Sequence, residues 1–94
     1  MFELEFKPIA IQQLKRLKHY YAATVVQAIE KHLKHNPERP SPPRIKKLRG
    51  NQQATYRLRV GDYRIFYDVA DAKVTVVAIL PKSETEDFYL KEEP

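Results

Sequence analysis

Residues 56–69 read Tyr56-Arg57-Leu58-Arg59-Val60-Gly61-Asp62-Tyr63-Arg64-Ile65-Phe66-Tyr67-Asp68-Val69. Two alternating runs joined by a two-residue Gly-Asp turn are a β-hairpin signature. Such a turn makes Val60 face Tyr63, Arg59 face Arg64 and Arg57 face Phe66. Side chains two apart share a sheet face. Arg57, Arg59, Arg64 and Phe66 therefore project from one side, and Tyr56, Leu58, Val60, Tyr63, Ile65 and Tyr67 line the other. Like charges directly opposite one another destabilise an antiparallel pair. An anion held between Arg59 and Arg64 would remove that cost, and the guanidinium fork suits phosphate oxygens. The hairpin thus predicts a solvent-open, phosphate-binding surface with an aromatic ring beside it.

Working outward, Met1 to Lys7 alternates Phe2, Leu4 and Phe6 with Glu3, Glu5 and Lys7, the pattern of a half-buried strand. Pro8 fits the first turn of a helix. Ala10, Leu14, Leu17 and Tyr21 form one helical face, and Ala22, Val25, Val26, Ile29 and Leu33 form a second stripe. Two helices are expected, the first ending between Lys18 and Tyr21 and the second near His35. A single long helix is the alternative, since no Gly or Pro interrupts them. Asn36 to Pro43 carries four prolines and predicts a stiff extended loop. Arg44 to Arg49 predicts a short strand before the loop at Gly50-Asn51-Gln52-Gln53. Beyond the hairpin, Ala70-Asp71-Ala72-Lys73 predicts a turn. Val74 to Leu80, apolar on both faces apart from Thr75, predicts an interior strand ended by Pro81. Ser83-Glu84-Thr85-Glu86 can cap a terminal helix holding Phe88, Tyr89 and Leu90. The expected fold is α+β, in the order β-α-α-β-β-β-β-(α). Two helices pack on one face of a mostly antiparallel twisted sheet, and the hairpin arginines occupy the other.

Ninety-four residues suit a single domain spanning 1–94 with one modest core. The absence of cysteine excludes disulfides and a Cys-based zinc site. No apolar run approaches the ~20 residues a bilayer requires, and the N-terminus shows no signal-like stretch. A cytoplasmic protein without a membrane partner, metal or cofactor is expected. The net charge is +5, and its distribution says more than its size. From Arg39 to Arg64 eight basic residues (Arg39, Arg44, Lys46, Lys47, Arg49, Arg57, Arg59 and Arg64) are opposed only by Asp62. After residue 83 the balance is acidic. A localised positive field is the footprint of a nucleic-acid binder, or of a solvated basic surface.

Lys47-Leu48-Arg49-Gly50, Tyr56-Arg57-Leu58-Arg59, Gly61-Asp62-Tyr63-Arg64-Ile65-Phe66-Tyr67 and the segment from Lys82 to Tyr89 together resemble the RelE/ParE superfamily of toxins from bacterial and archaeal toxin–antitoxin modules. Each piece alone is weak, but the combination spans nearly the whole chain, and the pattern is closer to the RelE branch. The resemblance implies a compact toxin inhibited by a co-expressed antitoxin, with which it can form a hetero-oligomer. RelE-like members enter the ribosomal A site and cut mRNA. ParE-like members poison DNA gyrase and lack nuclease chemistry. By position, the RelE basic cluster falls on Arg57, Arg59 and Arg64, and the C-terminal aromatic on Tyr89. RelE-like enzymes usually carry an arginine after the lysine that corresponds to Lys82; here Ser83 stands there. That departure leaves open weak cleavage, cleavage relying on Lys82, or none.

Metal-free RNA cleavage needs in-line attack of a 2′-OH on phosphorus, stabilisation of charge on the phosphoryl oxygens, and management of two protons. No carboxylate–His constellation is visible, and His19, His32 and His35 all fall in the helical region. Arginine is a poor proton carrier but a good electrostatic clamp. Arg57, Arg59 and Arg64 are thus candidates for phosphate positioning and transition-state stabilisation, with Arg57 alternatively paired to Asp68. Tyr89 can stack on a base, donate a proton, or anchor the tail. Phe66 can stack on a base or pack under the arginine stems. Lys46, Lys47, Arg49 and Lys82 are candidate RNA-backbone contacts. The expected function is a ribosome-dependent mRNA endonuclease. The alternatives are a gyrase poison and an RNA-binding module with weakened catalysis.

Overall fold

The computed structural model describes residues 1–41, 44–50 and 53–86. Strand β1 (Glu3–Phe6) leads into helices α1 (Pro8–Lys15) and α2 (His19–Leu33). Strands β2 (Ile45–Lys47), β3 (Tyr56–Val60), β4 (Tyr63–Ala70) and β5 (Lys73–Pro81) follow. They form one five-stranded sheet in the order β1-β5-β4-β3-β2. All neighbours are antiparallel except β1 and β5, so the sheet is mixed. The expected α+β architecture is observed, with β5 in the sheet interior.

The helix break falls earlier than the apolar spacing predicts. Helix α1 ends at Lys15, and Leu17 and Tyr21 belong to the turn and to α2. The last turn tightens, with Arg16 and Leu17 N–H donating to the carbonyls of Gln13 and Leu14 at 3.2 and 3.1 Å. Lys18 then turns extended, at ψ 148°. At 3.6 residues per turn the two apolar stripes lie roughly 100° apart. A straight helix could not lay both on the sheet, whereas a break lets each helix rotate its own stripe inward.

The core between helices and sheet joins Ala10, Val25, Ile29 and Leu33 to Leu58, Ile65, Tyr67, Val74, Val76 and Ile79. Tyr56 and Tyr67 stack there, centroids 5.4 Å apart, and the Tyr67 hydroxyl donates to the Pro37 carbonyl at 2.7 Å. That bond pins the proline loop to the sheet. Burial, above all, and then the neighbouring Tyr56 push the Tyr67 phenol well above its ordinary range. This ring is structural.

Strand β1 is shorter than β5 and leaves part of its edge bare. The Lys7 N–H still bonds Val76, but beyond that point α1 supplies the acceptor: Gln13 Oε1 takes the Ile79 N–H at 2.7 Å. Gln13→Leu strands that part-buried donor. Its expected cost is about 1–3 kcal/mol, read by urea denaturation, with Gln13→Glu retaining more stability.

The hairpin register is the expected one: Val60 opposite Tyr63, Arg59 opposite Arg64, Arg57 opposite Phe66. Gly61 has φ 56°, and a Cβ there would meet nothing within 4 Å. Backbone conformation, not space, selects glycine. At the far end of β5 the chain enters a 3₁₀ turn, Lys82–Glu84, closed by Thr85 Oγ1 donating to the Lys82 carbonyl at 2.9 Å. The Ser83–Glu86 segment therefore opens with a 3₁₀ turn where the sequence predicts a helix cap. Phe88, Tyr89 and Leu90 lie outside the described residues.

Candidate nucleic-acid interface

The face without helices carries two cross-strand rows. In one, Lys46 stands opposite Arg57 and Arg57 opposite Phe66, which is followed by Ala78. In the other, Arg59 stands opposite Arg64 and Arg64 opposite Leu80. The Arg44 carbonyl accepts from the Arg59 N–H at 2.8 Å, placing Arg44 at the end of this second row. Directly opposite residues hold their Cβ atoms about 4.5–5.5 Å apart, so the two rows concentrate basic charge on one surface.

The three hairpin arginines are not equally open. Arg59 is exposed and Arg57 half-buried, whereas Arg64 retains 7% of its accessible surface. The Arg64 Nη1 donates to the carbonyls of Gly61 and Tyr63, each at 3.0 Å. The expectation of three solvent-open guanidiniums is corrected for Arg64. Carbonyl dipoles of the turn solvate that cation, which relieves its repulsion with Arg59 without an anion between them.

Phe66 is also corrected as a stacking ring. It is fully buried in a small cluster with Leu48, Ala54 and Ala78, flanked by Val77 and Leu80. Of the two readings of Phe66, the structure favours packing over presentation to a base. On this face the sheet carries a thin apolar floor, and the basic groups stand on it.

Lys82 joins the arginines at the hairpin tip. Its N–H bonds the Asp62 carbonyl, and its side chain is exposed, as is Ser83. Lys46 shares the arginine face. Lys47 pairs with Tyr56 and so takes the opposite parity, on the helix side of the edge, apart from the row. Arg49 is exposed in the bend before Gly50. Asp68 accepts from Thr55 Oγ1 at 2.7 Å. Tyr89 lies outside the described residues.

The histidines contribute no catalytic pair. His19 and His35 are exposed. The His32 imidazole is held below its ordinary value, first by burial and then by the charges of Arg44 and Lys31. Among the described residues no cluster of His, Cys, Asp and Glu could hold a metal ion, and no helix is long and apolar enough to cross a membrane. What the site can do is grip and polarise an anionic backbone.

Sequence reasoning missed Tyr20 and Tyr21, which are 74% and 45% exposed. Spacing placed Tyr21 on an inward stripe. The break at residues 16–18 rotates it outward.

The comparisons with known proteins agree with this geometry. A family model described as the ParE toxin of type II toxin–antitoxin systems matches residues 4–86. The toxin–antitoxin complex RelBE2 from Mycobacterium tuberculosis contains a chain similar at TM-score 0.73 and 26% identity, covering 85% of this chain and 96% of that one. The RelB–RelE complex from Methanococcus jannaschii gives TM-score 0.69 at 24% identity, covering 90% and 98%. The intact E. coli RelBE complex gives 0.57 at 18%, covering 86% and 96%. No curated protein sequence matches the chain. The matching family model bears the ParE name, while these structures bear the RelE name.

Proposed function

The chain belongs to the family of ParE toxins of type II toxin–antitoxin systems, within the RelE/ParE superfamily, and from its basic sheet face, not from the ParE name, we propose that it acts as a ribosome-dependent mRNA endonuclease that arrests translation. One observation carries the reading: Arg59, Arg57 and Lys46 share the helix-free face, with Lys82 at the same hairpin tip.

In this reading a bound phosphodiester lies along the rows. Its 2′-oxygen attacks phosphorus as the bond to the 5′-oxygen breaks. Arg59 meets the phosphoryl oxygens directly, and Arg57 and Lys46 hold the flanking backbone. Arg64 contributes charge from behind and braces the turn, so it is a positioning residue. Preorganised cations of this kind stabilise charge that develops in the transition state. Lys82 takes the place nearest Ser83, where RelE-like enzymes usually have an added arginine. Tyr89 remains a candidate for base stacking or proton donation, on the strength of the resemblance. The neighbouring complexes of RelB with RelE support an antitoxin partner, and one that covered the basic face would switch the activity off.

Primer extension on cellular messages after induction tests the proposal. Cuts in codons at the ribosomal A site are expected, and Arg59→Ala is expected to abolish them. Intact messages in arrested cells reject it. A second reading, inhibition of DNA gyrase, is favoured by the ParE name of the matching family and by Ser83. It predicts DNA breaks with translation continuing, and loss of gyrase supercoiling by the purified protein.

A further inference from the structure

At the hairpin tip, on the side away from the arginines, Tyr20, Tyr21, Val25, Val60, Asp62 and Tyr63 line a hollow of about 230 Å³. Its rings are arranged: Tyr20 and Tyr21 meet edge to face with centroids 5.4 Å apart, and Tyr21 leans on Tyr63 at 6.0 Å. A second hollow of about 210 Å³ shares Tyr63 and is lined by Arg16 and, opposing it in charge, Glu84. The exposed run before the rings carries Lys15, Arg16, Lys18 and His19. Leaving a tyrosine as open as Tyr20 beside another partly open ring does little for the core, whereas aromatic rings with cations beside them recur where single strands bind.

We propose that this hollow stacks one unpaired RNA base of a strand that continues from the arginine row around the hairpin tip. The inference rests on the RNA reading above. Continuity carries it: the Gly61-Asp62 turn lines the hollow with one side, while the Gly61 carbonyl holds Arg64, the neighbour of Arg59, with the other. The hollow has room for a single ring system. Arg16, which shares the second hollow with Tyr63, is the cation placed to meet a phosphate flanking the base. Asp62 would repel a phosphate, but beside a base edge its carboxylate is an acceptor for an exocyclic amine. That favours adenine or cytosine over uracil in the hollow.

Stacking and phosphate binding respond differently to salt, which separates this inference from the reading beneath it. The measurement is anisotropy of a labelled, unstructured octaribonucleotide of A and C across a salt series. Replacing both rings (Tyr20→Leu with Tyr21→Leu) is expected to weaken binding roughly 5- to 150-fold for the removal of one stack, leaving the salt slope unchanged. Tyr20→Phe with Tyr21→Phe is expected to bind as the native protein does. Arg59→Ala is expected to flatten the slope by about 0.7 for each phosphate it no longer neutralises. Should the leucine pair fail to fold, Tyr20→Leu alone, at the most exposed ring, serves. If Arg59→Ala weakens binding and the leucine pair does not, the stacking site is overturned and the RNA reading stands. If neither changes binding, both fall. A leucine pair that spares RNA but no longer binds an antitoxin marks the hollow as a protein-binding surface and overturns the proposal.

Discussion

Arg64→Ala is expected to lower the stability of the fold by about 2–4 kcal/mol, while Arg59→Ala, its neighbour across the hairpin, leaves stability within about 0.5 kcal/mol. The two residues look equivalent in a list of basic positions. They differ in what surrounds them. The Arg64 guanidinium is buried and donates from one nitrogen to two turn carbonyls. Truncating it strands those acceptors and leaves a void beneath the tip. Arg59 is exposed, so removing it strands no buried partner and leaves the fold about as stable as before. Under the proposed cleavage, activity orders them differently. Removing a preorganised charge from a transition-state site costs about 100- to 1,000-fold in turnover. Arg59→Ala is expected to lose that much with an unchanged melting curve. Arg64→Ala is expected to lose a similar amount together with its stability, and Arg64→Lys to recover charge but not the two-acceptor geometry. Thermal denaturation and single-turnover cleavage on programmed ribosomes, run on the same preparations, separate the cases. A strongly destabilised Arg59→Ala would contradict the exposed placement of that side chain.

The hairpin was legible because a two-residue turn and a period of two leave one register, and each facing pair follows from it. The interior position of β5 was legible for a similar reason, since a strand apolar on both sides has nowhere else to go. The helix boundary was not. Ala10, Leu14, Leu17 and Tyr21 keep helical spacing across a break that contains neither glycine nor proline. Only the tilt between two stripes, which depends on how each meets the sheet, requires the chain to turn at residues 16–18. At the site, strand parity correctly assigned the arginines to a face but carried no information about depth. Parity gives Arg59 and Arg64 the same direction. The carbonyls that draw Arg64 inward belong to the turn and are invisible in side-chain patterning. The charge run assigned Lys47 no face, and strand pairing puts it one residue out of phase with Lys46, on the other side of the sheet edge. The hydrogen bond from Lys82 to Asp62 joins residues twenty apart through the backbone, which no local pattern announces.

The largest loss of stability is expected at Phe66, and it bears on whether the basic face is a rigid platform. Phe66 has no accessible surface and anchors the small cluster of Leu48, Ala54 and Ala78 on the arginine side of the sheet. Phe66→Ala removes a buried ring with few neighbours able to close over the gap, so the expected cost is about 3–5 kcal/mol. Against a total of about 5–15 kcal/mol for a domain, that approaches global unfolding near physiological temperature. Phe66→Leu keeps most of the apolar volume and is expected to cost less than about 1.5 kcal/mol. The two substitutions distinguish support from stacking. If the ring only underlies Arg57 and Lys46, the leucine variant keeps its RNA affinity and its cleavage, since leucine fills the floor. If the ring reaches a base after local opening, leucine loses affinity by the amount of one stack while remaining folded. Burial favours the first outcome. Denaturant titration with RNA binding on the leucine variant decides it, and a folded Phe66→Leu that has lost binding would return the ring to the interface. The proposed site would then depend on a sheet face that opens, and the fixed spacing of its cations would no longer account for the phosphate grip proposed for it.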